Sequence, residues 1–354
     1  MRCTGCMHFC FAGGRVVSAG TCNPMLQASE GEAAEAGDRN GAGCHPNGTN
    51  VPTKQIGMLA PPLTLLRPVM AVLVACAFAV GCGFAGGPDL TLGYLEWDEN
   101  VAVSSLTKVL MQEELGYESV ELKLADDVKP VYEMVASEEA DAFQDTWMPN
   151  QEEILEGVRA DVELLDPWFV GTANTSIATP SYMNVSSLAE LNDTPADHII
   201  GIEAGSPFMH KLTDSVIPEY DLELQLITAD TPVMLAEVEK RYRTRENFAF
   251  VAWRPHWMNE VYDFDYLEDP KGALGALRKS SDVSTIVREG FAEDDPVAYA
   301  FMERLELTGE QVQALEVEIN EARDPVEGAR IWLETNRAVV EPWVEAANNA
   351  QEEG

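Results

Sequence analysis

Cysteine and basic residues are scarce in most of this chain. All seven cysteines of the 354 residues lie before residue 83, so residues 83–354 have no disulfide framework, no thiolate nucleophile and no zinc site with cysteine ligands. Residues 1–82 hold five of the 23 basic and four of the 60 acidic groups. The other 18 basic and 56 acidic groups give residues 83–354 a net charge of −38, which excludes nucleic acid and anionic lipid surfaces as partners of that part.

Sequence motifs of common enzymes are also missing. The chain has no GxxxxGK[ST] phosphate loop, no HExxH and no GxSxG, the signatures of P-loop NTPases, zinc peptidases and α/β-hydrolases. Residues 83–354 contain three histidines, His198, His210 and His256. We therefore predict a protein that is not an enzyme and that needs no cofactor; the alternative is a two-lobed enzyme in which His256 and a carboxylate act as acid and base.

The first 57 residues have little periodic apolar pattern and are rich in Gly, Ala, Asn and Thr. This composition predicts a disordered or untranslated extension. Cys3, Cys6, His8 and Cys10 are of metal-binding types, but zinc sites usually pair two such clusters across a longer loop, and no second cluster follows. We therefore predict no metal site.

Residues 58–82 have the layout of a lipoprotein signal peptide. Arg67 precedes an apolar run, Pro68–Val80, which is shorter than an ordinary membrane-spanning helix and is followed by small residues. The end of this run, Ala-Val-Gly-Cys at Cys82, resembles a bacterial lipobox. Leu-Val-Ala-Cys at Cys76 is the alternative. We predict Cys82 as the lipid anchor because it leaves the longer apolar run, and hence an extracytoplasmic protein anchored to the membrane or periplasmic.

Strand and helix patterns alternate after residue 88. This order predicts an α/β fold with two lobes, each a mostly parallel sheet flanked by helices, and a ligand cleft between them. Ligands in such folds lie at the carboxyl ends of strands. The predicted strands are Leu90–Trp97, Ser119–Leu124, Ala140–Trp147, Thr175–Thr179, His198–Glu203, Leu222–Ile227 and Phe248–Trp253, and the main helices are Glu99–Leu115, Val128–Ala136, a helix from Thr231 to about Tyr242, and Val326–Ala347.

Aromatic residues stand where four of these strands end. Trp97, Trp147 and Trp253 end three strands, and Tyr182 follows a fourth. A single Trp is more often a core residue, but four aromatics beside polar groups or Pro at strand ends favour an aromatic cage. Ring faces attract a quaternary ammonium by about 0.5–2 kcal/mol each. A sugar also stacks on Trp, but its site needs more polar groups.

Longer stretches of this region resemble the substrate-binding proteins of glycine betaine/choline ABC importers. The resemblance implies a periplasmic-binding-protein fold of type II, in which two lobes close on the ligand. Trp-Arg-Pro-His-Trp followed by Tyr-Leu-Glu-Asp-Pro-Lys-Gly is its most specific part. The matching stretches are 93–110, 115–122, 129–149, 201–209, 231–242 and 251–275.

The resemblance also implies ligand-binding residues. Trp97, Trp147 and Trp253 correspond to the cage of the family, and Tyr182 to an aromatic that the second lobe supplies in choline-binding relatives. His256 either holds a ligand carboxylate, positions the cage, or is a structural histidine near the hinge.

Three further positions complete the predicted binding site. Backbone N–H groups at Gly205 and Ser206, before a helix, are suited to a carboxylate. Trp257 either completes the cage or packs beside it.

Acidic residues near the expected cleft bear on the choice of ligand. Asp98 could accept the hydroxyl of choline, attract its cation or cap a helix, whereas Glu99 is expected to be a helix cap. Asp145 also lies near the cleft. The similarity of residues 251–275 to the betaine branch favours glycine betaine; choline or carnitine is the alternative.

The resemblance implies the organisation of the chain and its partners. Residues 83–176 and 252–350 form the first lobe, and residues 177–251 the second. The protein is expected to be a monomer that delivers its ligand to ABC permease and ATPase subunits, with a ligand sensor of the same fold as the alternative.

The charge of residues 83–354 predicts that salt stabilises the protein. Self-repulsion at a net charge of −38 opposes the compact state, and the screening length falls from about 10 Å at 0.1 M salt to about 3 Å at 1 M. We expect the melting temperature to rise over this range, as in proteins of salt-adapted organisms, when it is followed by circular dichroism. A melting temperature independent of salt would contradict this.

Overall fold

The computed structural model describes residues 89–353, without the side chains of Arg278 and Glu353. The predicted extension, the signal peptide and both candidate anchors, Cys76 and Cys82, lie outside these residues. None of the helices between residues 89 and 353 is both long and apolar enough to cross a bilayer.

The first half of the described chain alternates strands and helices as predicted. Its elements are β1 (Leu90–Tyr94), α1 (Asp98–Glu113), β2 (Val120–Leu124), α2 (Val128–Ala136), β3 (Ala142–Met148), α3 (Glu152–Val158), β4 (Val162–Leu164), β5 (Phe169–Val170), β6 (Asn174–Pro180), two 3₁₀ helices (Ser181–Met183 and Leu188–Asp193), β7 (His198–Ile200), α4 (Pro207–Lys211), a π-helical turn (Leu212–Val216), α5 (Ile217–Tyr220) and β8 (Gln225–Ile227).

The second half completes both sheets and adds a helical end. Its elements are α6 (Thr231–Thr244), β9 (Ala249–Arg254), α7 (Met258–Val261), β10 (Phe264–Tyr266), a 3₁₀ helix (Gly275–Arg278), β11 (Asp282–Arg288), α8 (Phe291–Asp294), α9 (Pro296–Arg304), β12 (Leu307–Thr308), α10 (Gly309–Ala322) and α11 (Pro325–Glu353).

Two five-stranded sheets form the centres of the two lobes. The first has the order β2-β1-β3-β11-β4, with β1 parallel to its neighbours β2 and β3, and β11 antiparallel to β3 and β4. The order in the second is β10-β6-β9-β7-β8, where β7 is parallel to β8 and β9, and β6 is antiparallel to β9 and β10. The predicted α/β two-lobed fold is confirmed, with mixed sheets.

The chain crosses between the lobes twice, between β4 and β6 and between β10 and β11. The two crossings meet at Ala173 and Ser281, where the N–H of Ser281 donates to the carbonyl of Ala173 at 2.7 Å. The sequence placed residues 252–350 in the first lobe, but β10 pairs with β6 in the second sheet. Backbone hydrogen bonding therefore places the chain in the second lobe up to the end of β10.

Helices α1, α9, α10 and α11 pack together beside the first sheet. Helix α10 begins with a capping box, in which Thr308 accepts from the N–H of Gln311 and the Gln311 side chain accepts from that of Thr308. Asp324 accepts from the N–H groups of Val326 and Glu327, and thereby caps α11. Helix α11 is longer than predicted and kinks at Asn336, where φ is −119°.

Close helix packing at Gly328 gives a test of this arrangement. A Cβ atom there would lie 2.4 Å from Cα of Ile319 on α10, so Gly328→Ala must push two backbones apart. We expect a loss of about 1–3 kcal/mol in stability. Gly157, in α3, has nothing within 4 Å of an added Cβ, and Gly157→Ala should raise stability by about 0.4–1 kcal/mol. Thermal unfolding measures both; equal effects would contradict the packing.

Candidate functional site

Three tryptophans from different strand ends meet in the cleft between the lobes. Trp97 follows β1, at the N-cap position of α1, and Trp147 lies near the end of β3. Trp253 lies near the end of β9 in the second sheet. Each indole is at most 6 % exposed, so the lobes enclose them.

These three indoles line one small cavity, which has room of about 40 Å³ for the centres of water-sized molecules. Its other walls are apolar or neutral and polar, apart from one carboxylate. No Lys, Arg or His stands among the described residues around it. The remaining lining residues are Glu99, Asn150, Gln151, Thr175, Ile202, Ser206, Pro207 and Phe208.

A carboxylate accepts a hydrogen bond from the indole N–H of every cage tryptophan. Trp147 Nε1 donates to Asp145 Oδ1 at 2.9 Å, within β3. Trp253 Nε1 donates to Glu99 Oε2, also at 2.9 Å. Because the N–H edges are satisfied in this way, the ring orientations are fixed by directed bonds as well as by packing.

Two of these bonds join the lobes. Glu203 follows β7 of the second lobe, and its Oε2 accepts from Trp97 Nε1 at 2.9 Å. The same carboxylate accepts from the N–H of Thr231 at 2.8 Å and from its hydroxyl at 3.1 Å. Trp253 on the second sheet reaches Glu99 on α1 of the first lobe. Closure of the cleft and orientation of the cage therefore depend on the same contacts.

Buried carboxylates behind the rings favour their neutral forms. Burial raises the pKa of Glu99 well above its ordinary value, and the charges of Asp145 and Glu316 raise it further, against the Trp253 hydrogen bond. Burial likewise raises the pKa of Asp145 to about 8, opposed in part by the N–H of Trp147. Glu316 on α10 also has a strongly raised pKa, through burial and then Asp98. Several acids close together in a dry site cannot all carry charge.

Asp98, His256 and Trp257 form a cluster beside the cage and do not line its cavity. Trp257 Nε1 donates to Asp98 Oδ1 at 2.6 Å, and His256 Nε2 lies 3.2 Å from Asp98 Oδ2. His256 Nδ1 accepts from the N–H of Met258 at 3.0 Å, which leaves the ring proton on Nε2. Burial acts to raise the pKa of Asp98, but His256 and Trp257 outweigh it, and the pKa lies below its usual value.

This cluster selects among the alternatives that the sequence left open for His256, Trp257 and Asp98, and it overturns the capping role expected of Glu99. The His256 ring is fully buried and packs edge-on against Trp253, with ring centroids 4.5 Å apart, so it supports this tryptophan from behind and does not line the cavity. Trp257 packs in the cluster and does not complete the cage. Neither acid caps α1 with its side chain: Asp98 is held by His256 and Trp257, and Glu99 binds Trp253 and lines the cavity.

Tyr182 does not belong to the cage of this structure. Its ring packs against Tyr242, with centroids 5.9 Å apart, under the guanidinium of Arg245. Its hydroxyl donates to the carbonyl of Glu246. These neighbours belong to the second lobe, and the 3₁₀ turn after β6 directs the side chain to them and not to the cleft.

The predicted backbone donors are already engaged. The N–H of Gly205 donates to Asp127 Oδ2 at 2.9 Å and so joins the lobes, and the N–H of Ser206 donates to the carbonyl of Glu203 at 3.1 Å. Ser206 lines the cavity and caps α4 by accepting from the N–H of Met209 at 3.3 Å. Gly205 itself lies outside the cavity lining.

Sequence reasoning missed several polar residues of the site. Glu203 bonds Trp97 over 106 positions of chain, a separation that no local pattern reveals. Asn150 and Gln151 directly follow Met148-Pro149, and their place after the strand of Trp147 could have indicated them. Asn150 Oδ1 is buried without a hydrogen-bond partner among residues 89–353, and Gln151 Oε1 accepts from Tyr132 and from the N–H of Trp147.

Two sheets closing on a small aromatic cavity define a two-lobed binding protein. Residues 88–335 match the family described as the substrate binding domain of ABC-type glycine betaine transport systems. The chain belongs to this family, which consists of binding proteins and not of enzymes.

The similar proteins agree with this assignment. A glycine betaine/carnitine transport binding protein of Listeria monocytogenes is 33 % identical over 150 residues, 42 % of this chain and 49 % of the relative, so the match spans about half of that protein. Lactococcal OpuAC, solved closed with glycine betaine, is 28 % identical with a TM-score of 0.66, over 72 % of this chain and 98 % of that one. ProX of Borrelia burgdorferi, with 24 % identity and a TM-score of 0.66 over 74 % and 98 %, shares the fold.

The raised pKa of Asp145 predicts how stability depends on pH. Its pKa is about 8 in the folded protein and about 3.8 in the unfolded chain. Protons therefore stay bound to the folded state where the unfolded state has lost them, and this stabilisation is complete below about pH 4 and lost as the pH rises to about 8.

We expect the melting temperature of the free protein to fall between about pH 5 and pH 8, and to fall less in Asp145→Asn, which keeps an acceptor for Trp147. The exposed Glu156→Gln is the charge-matched control. Equal pH dependence of Asp145→Asn and the unaltered protein would contradict the assignment.

Proposed function

We propose that this protein binds a quaternary ammonium solute, glycine betaine in the first place, between Trp97, Trp147 and Trp253, and delivers it to an ABC importer. The observation that supports this most is the cavity itself: three indoles, tied back by their N–H edges, around a space without any basic residue among its described walls.

The electrostatics of this cavity suit a cation that cannot donate hydrogen bonds. A trimethylammonium group is weakly hydrated and gains about 0.5–2 kcal/mol from each well-placed ring. The carboxyl oxygens that accept from the indole N–H groups turn the negative ends of their dipoles towards the rings, and a dry site screens this little. An ammonium with N–H groups would leave those donors unpaired against the rings, at a cost of about 1–3 kcal/mol for each buried group.

The rest of the cavity wall suits the polar end of such a ligand. Ser206 and Thr175 carry hydroxyls there, and the Asn150 amide has an oxygen without a partner among residues 89–353. The two hydroxyls and the NH₂ group of Asn150 can donate to the carboxylate of glycine betaine, whereas the Asn150 oxygen can only accept. The acid Glu99 favours the second candidate, choline, because an ionised Glu99 can accept its hydroxyl. Carnitine carries both a carboxylate and a hydroxyl and is the third.

Delivery requires a place outside the membrane and a transporter. We propose that the protein works there, attached through Cys82 or Cys76, as a monomer that presents its closed form to ABC permease subunits driven by ATPase subunits. Family membership and the hydrogen bonds that join the lobes around the cavity support this role. A ligand sensor would use the same closing lobes. Transport assays with the permease and ATPase subunits distinguish a sensor from a transport protein.

Calorimetric titration tests the proposal. Glycine betaine is expected to bind with micromolar affinity, and Trp147→Ala to weaken it at least tenfold, since it removes one ring from the cage. Tyr182→Ala removes an aromatic outside the cavity and should leave the affinity within about twofold, with folding of both variants checked by circular dichroism. Failure to bind any of glycine betaine, choline and carnitine would refute the function, and an unchanged affinity in Trp147→Ala would remove it from the cage.

A further inference from the structure

Glu99 is the carboxylate that lines the cavity and whose charge nothing nearby compensates. It lies in the first turn of α1, is 2 % exposed, and its Oε2 accepts from Trp253 Nε1. Asp145, behind Trp147, does not line the cavity, and Glu203 is held by Trp97 and Thr231. Glu99 is therefore the acid that a ligand in this cage would meet.

We propose that Glu99 determines the ligand preference of the cage: with its proton it admits a zwitterionic betaine, and without its proton it favours a cationic quaternary amine such as choline. This inference rests on the proposed function and adds to it the group that selects between two ligand classes.

The groups that face Glu99 act against a charge on it, apart from two N–H donors, the Trp253 indole and the backbone N–H of Glu99 itself. Asp145 on β3 and Glu316 on α10 are acids whose charges act on it, and Trp253 on β9 donates the hydrogen bond. Both acids are fully buried, and Asp145 Oδ2 and Glu316 Oε1 have no partner among the described residues.

The other ionisable neighbours do not change this balance. His256 Nε2 lies against the carboxylate of Asp98, the residue before Glu99 on α1. The imidazole therefore interacts with Asp98 and not with Glu99. Tyr132 on α2 faces Asp145 from the other side, and burial raises its pKa, so it stays neutral. Burial and these acids raise the pKa of Glu99 well above its ordinary value, so the free site favours the protonated form up to a higher pH than an exposed glutamate would.

The two ligand classes respond to this proton in opposite ways. Glycine betaine brings a carboxylate and no net charge, so an ionised Glu99 repels its polar end, whereas a neutral Glu99 does not and can donate its O–H. Choline brings a net positive charge and a hydroxyl, and an ionised Glu99 attracts the first and accepts from the second. As the pH rises and Glu99 loses its proton, choline should gain affinity and betaine should lose it.

The test is a calorimetric titration of the whole protein with glycine betaine and with choline at about pH 6 and about pH 9. We expect the ratio of the choline Kd to the betaine Kd to fall at least tenfold over this range. Choline should also release more protons than betaine, which titrations in two buffers of different ionisation enthalpy measure. If both ligands bind and the ratio changes less than threefold, the inference is wrong; if neither binds, the proposed function itself fails.

Glu99→Gln isolates the proton from the structural role of the side chain. The amide oxygen of Gln can still accept from Trp253 Nε1, but the group cannot ionise. The Kd ratio should then change less than threefold between the two pH values, with choline weaker than in the unaltered protein at pH 9. Glu156→Gln, which removes an exposed acid, should keep the full pH dependence, and a full dependence in Glu99→Gln would overturn the assignment.

Asp145→Asn distinguishes whether Glu99 or Asp145 is the group that titrates. Its loss removes a like charge that faces Glu99, so Glu99 should ionise more easily and the switch in preference should move to lower pH. A switch that disappears in this variant would assign the proton to Asp145 and refute the role of Glu99.

Discussion

The hydrogen bond from an indole N–H to a buried carboxylate is the interaction on which this binding site depends. It occurs at Trp97, Trp147 and Trp253, and twice it spans the cleft. An indole can donate through one edge and offer its face to a cation, so fixing the edge leaves the face free. The same type of bond therefore orients all three rings and, at Trp97 and Trp253, also joins the lobes.

Such a site requires acids in a dry region, and their desolvation is its main energetic cost. The protein limits this cost by hydrogen bonding and by keeping protons. Glu203 accepts three hydrogen bonds, and Asp98 accepts one from Trp257 and lies beside His256, whereas Glu99, Asp145 and Glu316 have raised pKa values. A cation in the cage changes this balance because it compensates the charges that the empty site suppresses. Ligand binding and proton binding are linked for that reason.

The sequence alone predicted the fold, and it predicted that Trp97, Trp147 and Trp253 lie together at the cleft, because both depend on local signals. Strand and helix patterns alternate along the chain, and an aromatic residue at a strand end lies at the edge where ligands bind in α/β sheets. Tyr182 met the same criterion, yet the 3₁₀ turn after β6 points it at Tyr242. Glu203 bonds Trp97 across 106 positions of chain, and Glu316 bonds Trp257 across 59. No local sequence pattern could therefore predict either acid. The capping role predicted for Glu99 also came from local sequence. In the structure Glu99 instead bonds Trp253, 154 positions away in the chain.

The buried acids also explain why apolar residues at their positions would not suit this protein, although such residues would cost less to bury. Replacing a buried ionic group by an apolar one of similar size often stabilises a protein, and an apolar residue at Glu99 would leave Trp253 Nε1 without its acceptor. The indole could then rotate, and the cavity would lose the one charge that tells a cationic ligand from a zwitterionic one. A neutral amide at that position would keep the ring in place but make the cage indifferent to pH. Only an ionisable residue combines both properties, so the ligand selection that we propose for Glu99 would come at the expense of stability.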